Sequence, residues 1–373
     1  MNAETHAMGL LQGLMKHVRA RGCEAPEPLE ISGAGASTIE HGGERLHLVS
    51  NPAIARRLLA DGSLSVSPQV MGLTRTCEHF GLDGSLVRAF FERSPIFLEG
   101  DSHRDARKRF SRLARVAKST LEPELDVLAD AHFEAVCHAG RGAGLGTVGA
   151  IHFVDRTLFR LFELLLPGSE KHYPGLAAHP QSLFELVHHP RRLGDTLDAI
   201  AAFLHEYHEA SEARERAWVL MSFVLMGRDP LVGGMADFLH LWRAQPETER
   251  TEWLAGLQAR DVFRYTRPVN LISRVATGRL NEAELDVHPG ELVVFMLMAR
   301  DRAGSSCPVA RDDLAFGHGP HFCVGMPLSL EIAQAWMGGL ERWDKEIPWE
   351  NFRAEQPVPS VFRRYREMKR ANP

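Results

Sequence analysis

Cysteine is scarce and dispersed: Cys23, Cys77, Cys137, Cys307 and Cys323 are the only five in 373 residues, and no two form a CxxC pair. That excludes a disulfide-stapled scaffold and a zinc site built on CxxC, and it fits a reducing cytoplasm. Neither sign of charge dominates. With 43 Lys+Arg against 48 Asp+Glu and a formal net charge of -5, no basic face for nucleic acid is expected. Long hydrophobic runs are missing too. The longest, 217–227, falls short of the ~18 residues needed to span a bilayer, and the N-terminal MNAETHAMGLLQGLMKHVRARG lacks the continuous apolar centre of a signal peptide. Repeats, low-complexity tracts and charge blocks are absent, so one domain over residues 1–373 is expected.

What is present is an ordinary globular composition, 44% hydrophobic and 24% charged. Apolar residues recur at helical spacing over 52–61, behind Asn51 as an N-cap, and over 102–117, 122–138, 150–166, 180–187, 194–227 and onward past a proline, 247–265 and 327–342. Strand-like stretches are few: 45–49, 271–277 and 291–297. The expected fold class is mainly α, in the α+β sense, with many helices around a small β-sheet.

The chemistry concentrates in Phe316-Gly-His-Gly-Pro-His-Phe-Cys323-Val-Gly325, which runs into a helical pattern near Pro327. Glycines at 317, 319 and 325 permit a tight loop around one cysteine. A sulfur held before a helix N-terminus meets backbone N–H groups and the positive end of the helix dipole, which lower a thiol pKa. The loop is suited to a thiolate.

This segment resembles the haem-binding loop of the cytochrome P450 family, Phe-x-x-Gly-x-x-x-Cys-x-Gly, with Phe316, Gly319, Cys323 and Gly325 at the fixed positions. The resemblance implies a single-domain cytochrome P450 fold with haem b between distal and proximal helices. It makes Cys323 the axial ligand of the iron, with Phe316 packed beside the sulfur and Gly325 allowing close backbone approach. A thiolate ligand favours O–O cleavage. Upstream, His103 and Arg107 are similar to the family's His-x-x-x-Arg pair, one turn apart on one helix face. Arg274 resembles the arginine of the inner strand, and His321 stands where a further partner is common. All four would hold haem propionates. Asp261-Val-Phe-Arg264 aligns with the family's Glu-x-x-Arg ion pair, one methylene shorter, so its pairing is expected to be weaker or shifted.

The distal motif departs from the family. Where the resemblance calls for Ala-Gly-x-(Asp/Glu)-Thr, this chain has Met226-Gly227-Arg228-Asp229-Pro230. The acid is present as Asp229, but the threonine is replaced by Pro230, which removes an N–H and clashes one turn back. A freed Met226 carbonyl and a kinked helix are therefore expected, with Asp229 delivering protons and Arg228 or Asp229 serving as acid–base or carboxylate-holding groups. A second departure is the short stretch from Arg300 to Pro308, where the family has a longer meander.

Remaining features carry less. The apolar residues Met71, Leu73, Phe80, Phe90, Phe91 and Phe97, with Phe223 and Met226, would line a pocket for a mostly apolar substrate, though such spacing is more often core. Arg107, Lys108, Arg109 and Arg112 would form a basic face for an acidic electron donor of ferredoxin type, against the alternative of a solvated face. His188, Arg191 and Arg192 would meet an anionic substrate or a carrier protein, against a solvated loop. His205 and His208 lack the spacing of a zinc-protease pair. The implied activity is a haem-thiolate oxidoreductase of monooxygenase type in specialised metabolism. The alternatives are haem chemistry without external electrons, motivated by Pro230, and a non-catalytic member that binds a partner.

Overall fold

The computed structural model describes residues 35–41, 44–66, 68–138, 146–184, 189–208, 212–282, 285–297, 314–349, 355–358 and 364–367. The Arg300–Pro308 stretch, His188, Cys23 and Cys307 lie outside them, as does the side chain of Met71.

The chain opens with β1 (Ala36–His41) and β2 (Glu44–Val49), followed by α1 (Pro52–Ala60) and β3 (Leu64–Ser65). Asn51 caps α1 as the sequence suggests: its side-chain oxygen accepts from the N–H of Ala53 at 2.8 Å and of Ile54 at 3.2 Å, and Pro52 starts the helix. Helices α2 (Pro68–His79), α3 (Ser85–Phe91), α4 (Gly100–Leu121), α5 (Leu125–His138), α6 (Thr147–Leu165), α7 (Tyr173–Ala178) and α8 (Pro190–Glu206) follow. Next come α9 (Glu212–Ser222), a π-helical turn (Phe223–Gly227), α10 (Arg228–Ala244), α11 (Arg250–Ala255) and α12 (Ala259–Thr266). Strands β4 (Leu271–Ala276), β5 (Leu280–Glu282), β6 (Leu285–Val287) and β7 (Leu292–Met296) lead to α13 (Met326–Trp343), β8 (Glu355–Val358) and β9 (Arg364–Glu367). The main sheet has the order β1-β2-β7-β4-β3, parallel only between β2 and β7.

Several expected helices are divided, each for a local reason. The continuous helix over 194–227 is two: α8 ends at Tyr207, whose N–H turns back to the Leu204 carbonyl, while the His208 ring bonds the His205 carbonyl at 2.9 Å. The span 247–265 is broken between α11 and α12 after Gly256. Pro123 makes 122–124 a 3₁₀ turn before α5, and the start of 180–187 is a 3₁₀ turn, Pro180–Leu183. The strands expected at 45–49, 271–277 and 291–297 form as β2, β4 and β7.

The α9–α10 unit, Glu212–Ala244, has the length and mean hydropathy of a membrane span, but 78% of its apolar window is buried inside the protein. It is the central core helix. Against it pack α6 and α12, and α13 crosses α5 closely. At that crossing Trp336 meets Phe133 and Phe153 at ring separations of 4.9 and 5.1 Å. Gly339 permits the approach, since a Cβ there would stand 2.6 Å from the Phe133 ring.

Candidate functional site

The loop from Leu314 to Gly325 is tied by its own backbone. Gly317 N–H donates to the Leu314 carbonyl at 2.9 Å, Phe322 N–H to Gly319 at 3.1 Å, and Cys323 N–H to Phe316 at 2.9 Å. Gly317 and Gly319 take φ of +75° and +72°, the left-handed region that side-chain-bearing residues avoid. Gly319 is also pressed against the end of α1, where an added Cβ would lie 2.5 Å from the Leu59 carbonyl oxygen. Gly325, by contrast, has φ −81° as the N-cap of α13. Phe316 sets its ring edge-on to Phe263 of α12 at 5.0 Å, so the loop and the helix carrying Asp261 and Arg264 are braced together.

The shorter acid of that helix does pair: Arg264 Nη1 donates to Asp261 Oδ1 at 2.9 Å, while Asp261 Oδ2 accepts the Gln258 N–H at 2.9 Å. One methylene fewer brings the carboxylate close enough to its own backbone to cap α12 as well as pair within it.

Cys323 is accessible to solvent, yet protein surrounds it so closely that desolvation dominates its titration. Burial pushes its thiol above the ordinary value, while the N–H groups of Gly325 and Met326 and the charge of Arg107 pull it down. The expectation of a lowered thiol pKa counted only the second influence. A thiolate here needs a bound cation, such as a metal ion, to become the stable form.

Around this sulfur the structure gathers the expected basic groups. The His103 and His321 rings lie 4.5 Å apart, and Arg107 and Arg274 act electrostatically on His321. His103 Nε2 and His321 Nδ1 are buried with no hydrogen-bond partner among the described residues. Burial, then the neighbouring arginines and His103, lowers His321 to about 4; burial and Arg107 lower His103. Burial also draws Arg274 down to about 10, opposed by the charge of Glu99. Among the described residues, Arg274 makes only a backbone hydrogen bond, Nη1 to the Ser273 carbonyl at 2.7 Å. Among the described residues, two histidines and two arginines therefore face one carboxylate, Glu99, itself accepting the Val66 N–H at 2.8 Å. Such a cluster calls for further anionic groups. Two propionates beside a metal on Cys323 match both demands, so the residues present fit haem.

Glu99 escaped the sequence reading, although it stands four residues before His103 and its carbonyl accepts the His103 N–H at 3.2 Å. An acid at that offset from the histidine was the available signal.

On the distal side the helix is interrupted upstream of the proline. The π turn spans Phe223–Gly227, and Pro230 falls in the first turn of α10, where proline is tolerated. The departure from regular helix is thus a π turn that ends before the proline. A Cβ built on Gly227 would meet nothing within 4 Å, so space opens there. Asp229 and Arg228 do not point freely into it. Arg228 donates Nη1 to Asp229 Oδ1 at 2.9 Å, Nε to Asp155 Oδ1 at 2.6 Å and Nη2 to Asp155 Oδ2 at 2.9 Å. Nε, Nη1 and Nη2 each donate to a protein carboxylate, so holding a substrate carboxylate would compete with these bonds.

Other expected contributors separate. Leu73, Phe90, Phe91 and Phe97 are buried in the main core; Phe91 and Phe97 meet at 4.2 Å, and Phe90 stacks on Trp218. Phe80 is partly buried against the same core. Phe223 and Met226 lie in the π turn beside the open space, Met226 only partly buried. Of the expected basic face, Arg107 departs, acting on the cysteine loop, while Lys108, Arg109 and Arg112 are exposed, Arg109 lying 3.8 Å from Glu215. At about 100° per residue, Lys108, Arg109 and Arg112 fall on one face of the helix and Arg107 on another. Arg191 and Arg192 are exposed at the start of α8.

No family model matches the sequence, and no curated protein matches it. Solved structures do. P450BioI, in complex with acyl carrier protein ligated to hexadec-9Z-enoic acid, superposes with a TM-score of 0.66 at 15% identity, covering 97% of this chain and 98% of its own. CYP154C4 from Streptomyces sp. W2061 gives 0.66 at 17% identity over 96% and 94%. CxnD, a cytochrome P450 for C–S bond formation in chuangxinmycin biosynthesis, gives 0.64 at 16% over 87% and 88%. The chain has the cytochrome P450 fold.

Proposed function

We propose that the protein is a haem-thiolate oxidoreductase acting on a small, mostly apolar organic substrate in specialised metabolism. The observation that carries this reading is the convergence on Cys323 of backbone N–H donors and an undercompensated basic cluster. His103, Arg107, Arg274 and His321 would hold the two propionates, and Cys323 the iron. The bound group would supply oxidising power at the iron, tuned by its thiolate ligand. Phe223, Met226 and Gly227 would shape the apolar side of the pocket, and Asp229 would hold the proton needed there. A ferredoxin-type protein would be the electron donor.

The decisive experiment is the difference spectrum of the reduced protein under carbon monoxide. A strongly red-shifted Soret band is expected, and Cys323→Ser should abolish it. Survival of that band in the variant would remove Cys323 from the iron.

A second reading is favoured by one feature of the distal helix: from Phe223 to Ala244 there is no Ser, Thr or Tyr, and Ser222 spends its hydroxyl on the Trp218 carbonyl at 2.8 Å. No side-chain hydroxyl of this segment stands ready to relay protons. Under this reading the enzyme takes peroxide or rearranges an activated substrate. Product formed by the ferric protein with no reductase supports it; strict dependence on reduced ferredoxin rules it out.

A further inference from the structure

Asp155 was singled out by no motif. It sits mid-way along α6, 73 residues from Arg228, yet both of its oxygens receive the Arg228 guanidinium, at 2.6 and 2.9 Å, and Oδ1 also accepts the Tyr173 hydroxyl at 2.7 Å. The side chains become steadily less exposed along the chain, from 30% at Asp155 to 11% at Arg228 and 6% at Asp229. Burial alone would lower the Arg228 pKa, but the Asp155 hydrogen bonds and charge more than reverse this. Burial, followed by the Asp155 charge, raises Tyr173 and keeps its hydroxyl a donor. Two carboxylates and a neutral phenol therefore surround one cation.

The geometry has a directional consequence. A guanidinium is planar, and two-point pairing with a carboxylate fixes its plane as well as its position. With Nε and Nη2 turned to Asp155, the remaining Nη1 edge is delivered to Asp229 Oδ1. Arg228 is also the first residue after the π turn, one position beyond Gly227 and the open space beside it. Without Asp155, a mostly buried cation would keep one of its two carboxylate partners, Asp229, beside the Tyr173 hydroxyl, and would lose the two-point pairing that keeps it from turning toward that space.

Resting on the haem reading above, we propose that Asp155, backed by Tyr173, is a positioning residue that holds the Arg228 cation out of the distal groove and fixes the Asp229 carboxylate at its edge. The groove stays uncharged, as an apolar substrate requires, and Asp229 keeps one orientation. Asp155 itself does not touch the substrate.

The test uses the haem-loaded protein as its carbon monoxide complex and reads the C–O stretch by infrared spectroscopy. A positive charge near the oxygen end of the ligand lowers that frequency. Asp155→Ala should shift it to lower wavenumber, and the double variant D155A/R228M should return it to the wild-type position. An unchanged frequency in Asp155→Ala, or a shift that persists in the double variant, overturns the proposal. For a variant that folds poorly, Asp155→Asn keeps the shape and one acceptor and is expected to shift the frequency in the same direction. A second measurement needs no iron: amide hydrogen exchange in the first turn of α10 should quicken about tenfold in Asp155→Asn, as befits loss of a charged hydrogen bond. Unaltered exchange there also refutes the latch. Failure of the wild-type protein to form a thiolate–carbonyl complex would instead refute the haem reading, leaving the exchange experiment to decide the latch alone.

Discussion

Replacing Gly319 by Ala puts the cysteine loop to a quantitative test. The new methyl group would lie 2.5 Å from the Leu59 carbonyl oxygen and 3.1 Å from the Ala60 Cα, both backbone atoms of α1 with no side-chain freedom to yield. The residue would also have to keep φ +72°, a conformation costing an L-residue roughly 1–2 kcal/mol. Relief of the overlap by loop displacement adds about 1–3 kcal/mol, the usual range for overpacking. Gly317→Ala is the matched control. Its φ is +75°, but the nearest atom to its added Cβ is the His321 carbonyl oxygen at 3.8 Å, so only the ~1–2 kcal/mol conformational term applies. The assay is urea unfolding of both variants, read with the amplitude of the carbon monoxide band per mole of protein. Gly319→Ala should lose most of the band and about twice the stability lost by Gly317→Ala. Equal effects of the two substitutions would refute the claim that contact with α1 seats the loop.

Two further outcomes follow from the same coordinates. His321 is lowered to about 4 from an ordinary 6.5, so without bound anions the fold loses stability as pH falls from 6.5 toward 4, by at most about 3 kcal/mol. Carboxylates entering the cluster would raise it again, while ligation would release the Cys323 thiol proton at either pH; haem titrated into the apoprotein should therefore release fewer protons at pH 5–6 than at pH 8, measured by calorimetry in buffers of differing ionisation enthalpy, and release that is the same at both pH values would contradict the assignment. Gly339→Ala should destabilise the α5–α13 crossing by about 1–3 kcal/mol, because its methyl would stand 2.6 Å from the Phe133 ring; pairing it with Phe133→Leu should recover part of the loss in thermal unfolding, and no recovery would place the strain elsewhere.

The sequence was most legible where chemistry confines residues to one short segment. The cysteine loop needs its glycines, its sulfur and the following helix contiguous, so Phe316 to Gly325 could be read directly. His103 and Arg107 were legible because one helical turn separates them. Contacts made through the fold left no such trace: nothing in the local pattern around Asp155 or Tyr173 points to Arg228. Apolar spacing was ambiguous, since Phe90 and Phe91 show the same periodicity whether they line a pocket or fill a core, and here they fill the core. Helix ends were misjudged where a single residue decides them, as with the His208 ring on the His205 carbonyl. The thiol was misjudged because dipole and N–H effects are local, whereas desolvation comes from the whole surrounding fold.

The π turn at Phe223–Gly227 also carries information about length. An α-helix closes each turn with 3.6 residues. A π turn is what remains when one extra residue is accommodated without breaking the helix. Everything after Gly227 therefore sits one residue later than a straight helix would place it. Deleting a single residue from 223–227 would let the helix close as a regular α-helix, with Arg228 and the residues after it still facing as they do now, and would remove the widened turn beside Gly227. One codon gained or lost is enough to switch this helix between a continuous core rod and the wall of a cleft.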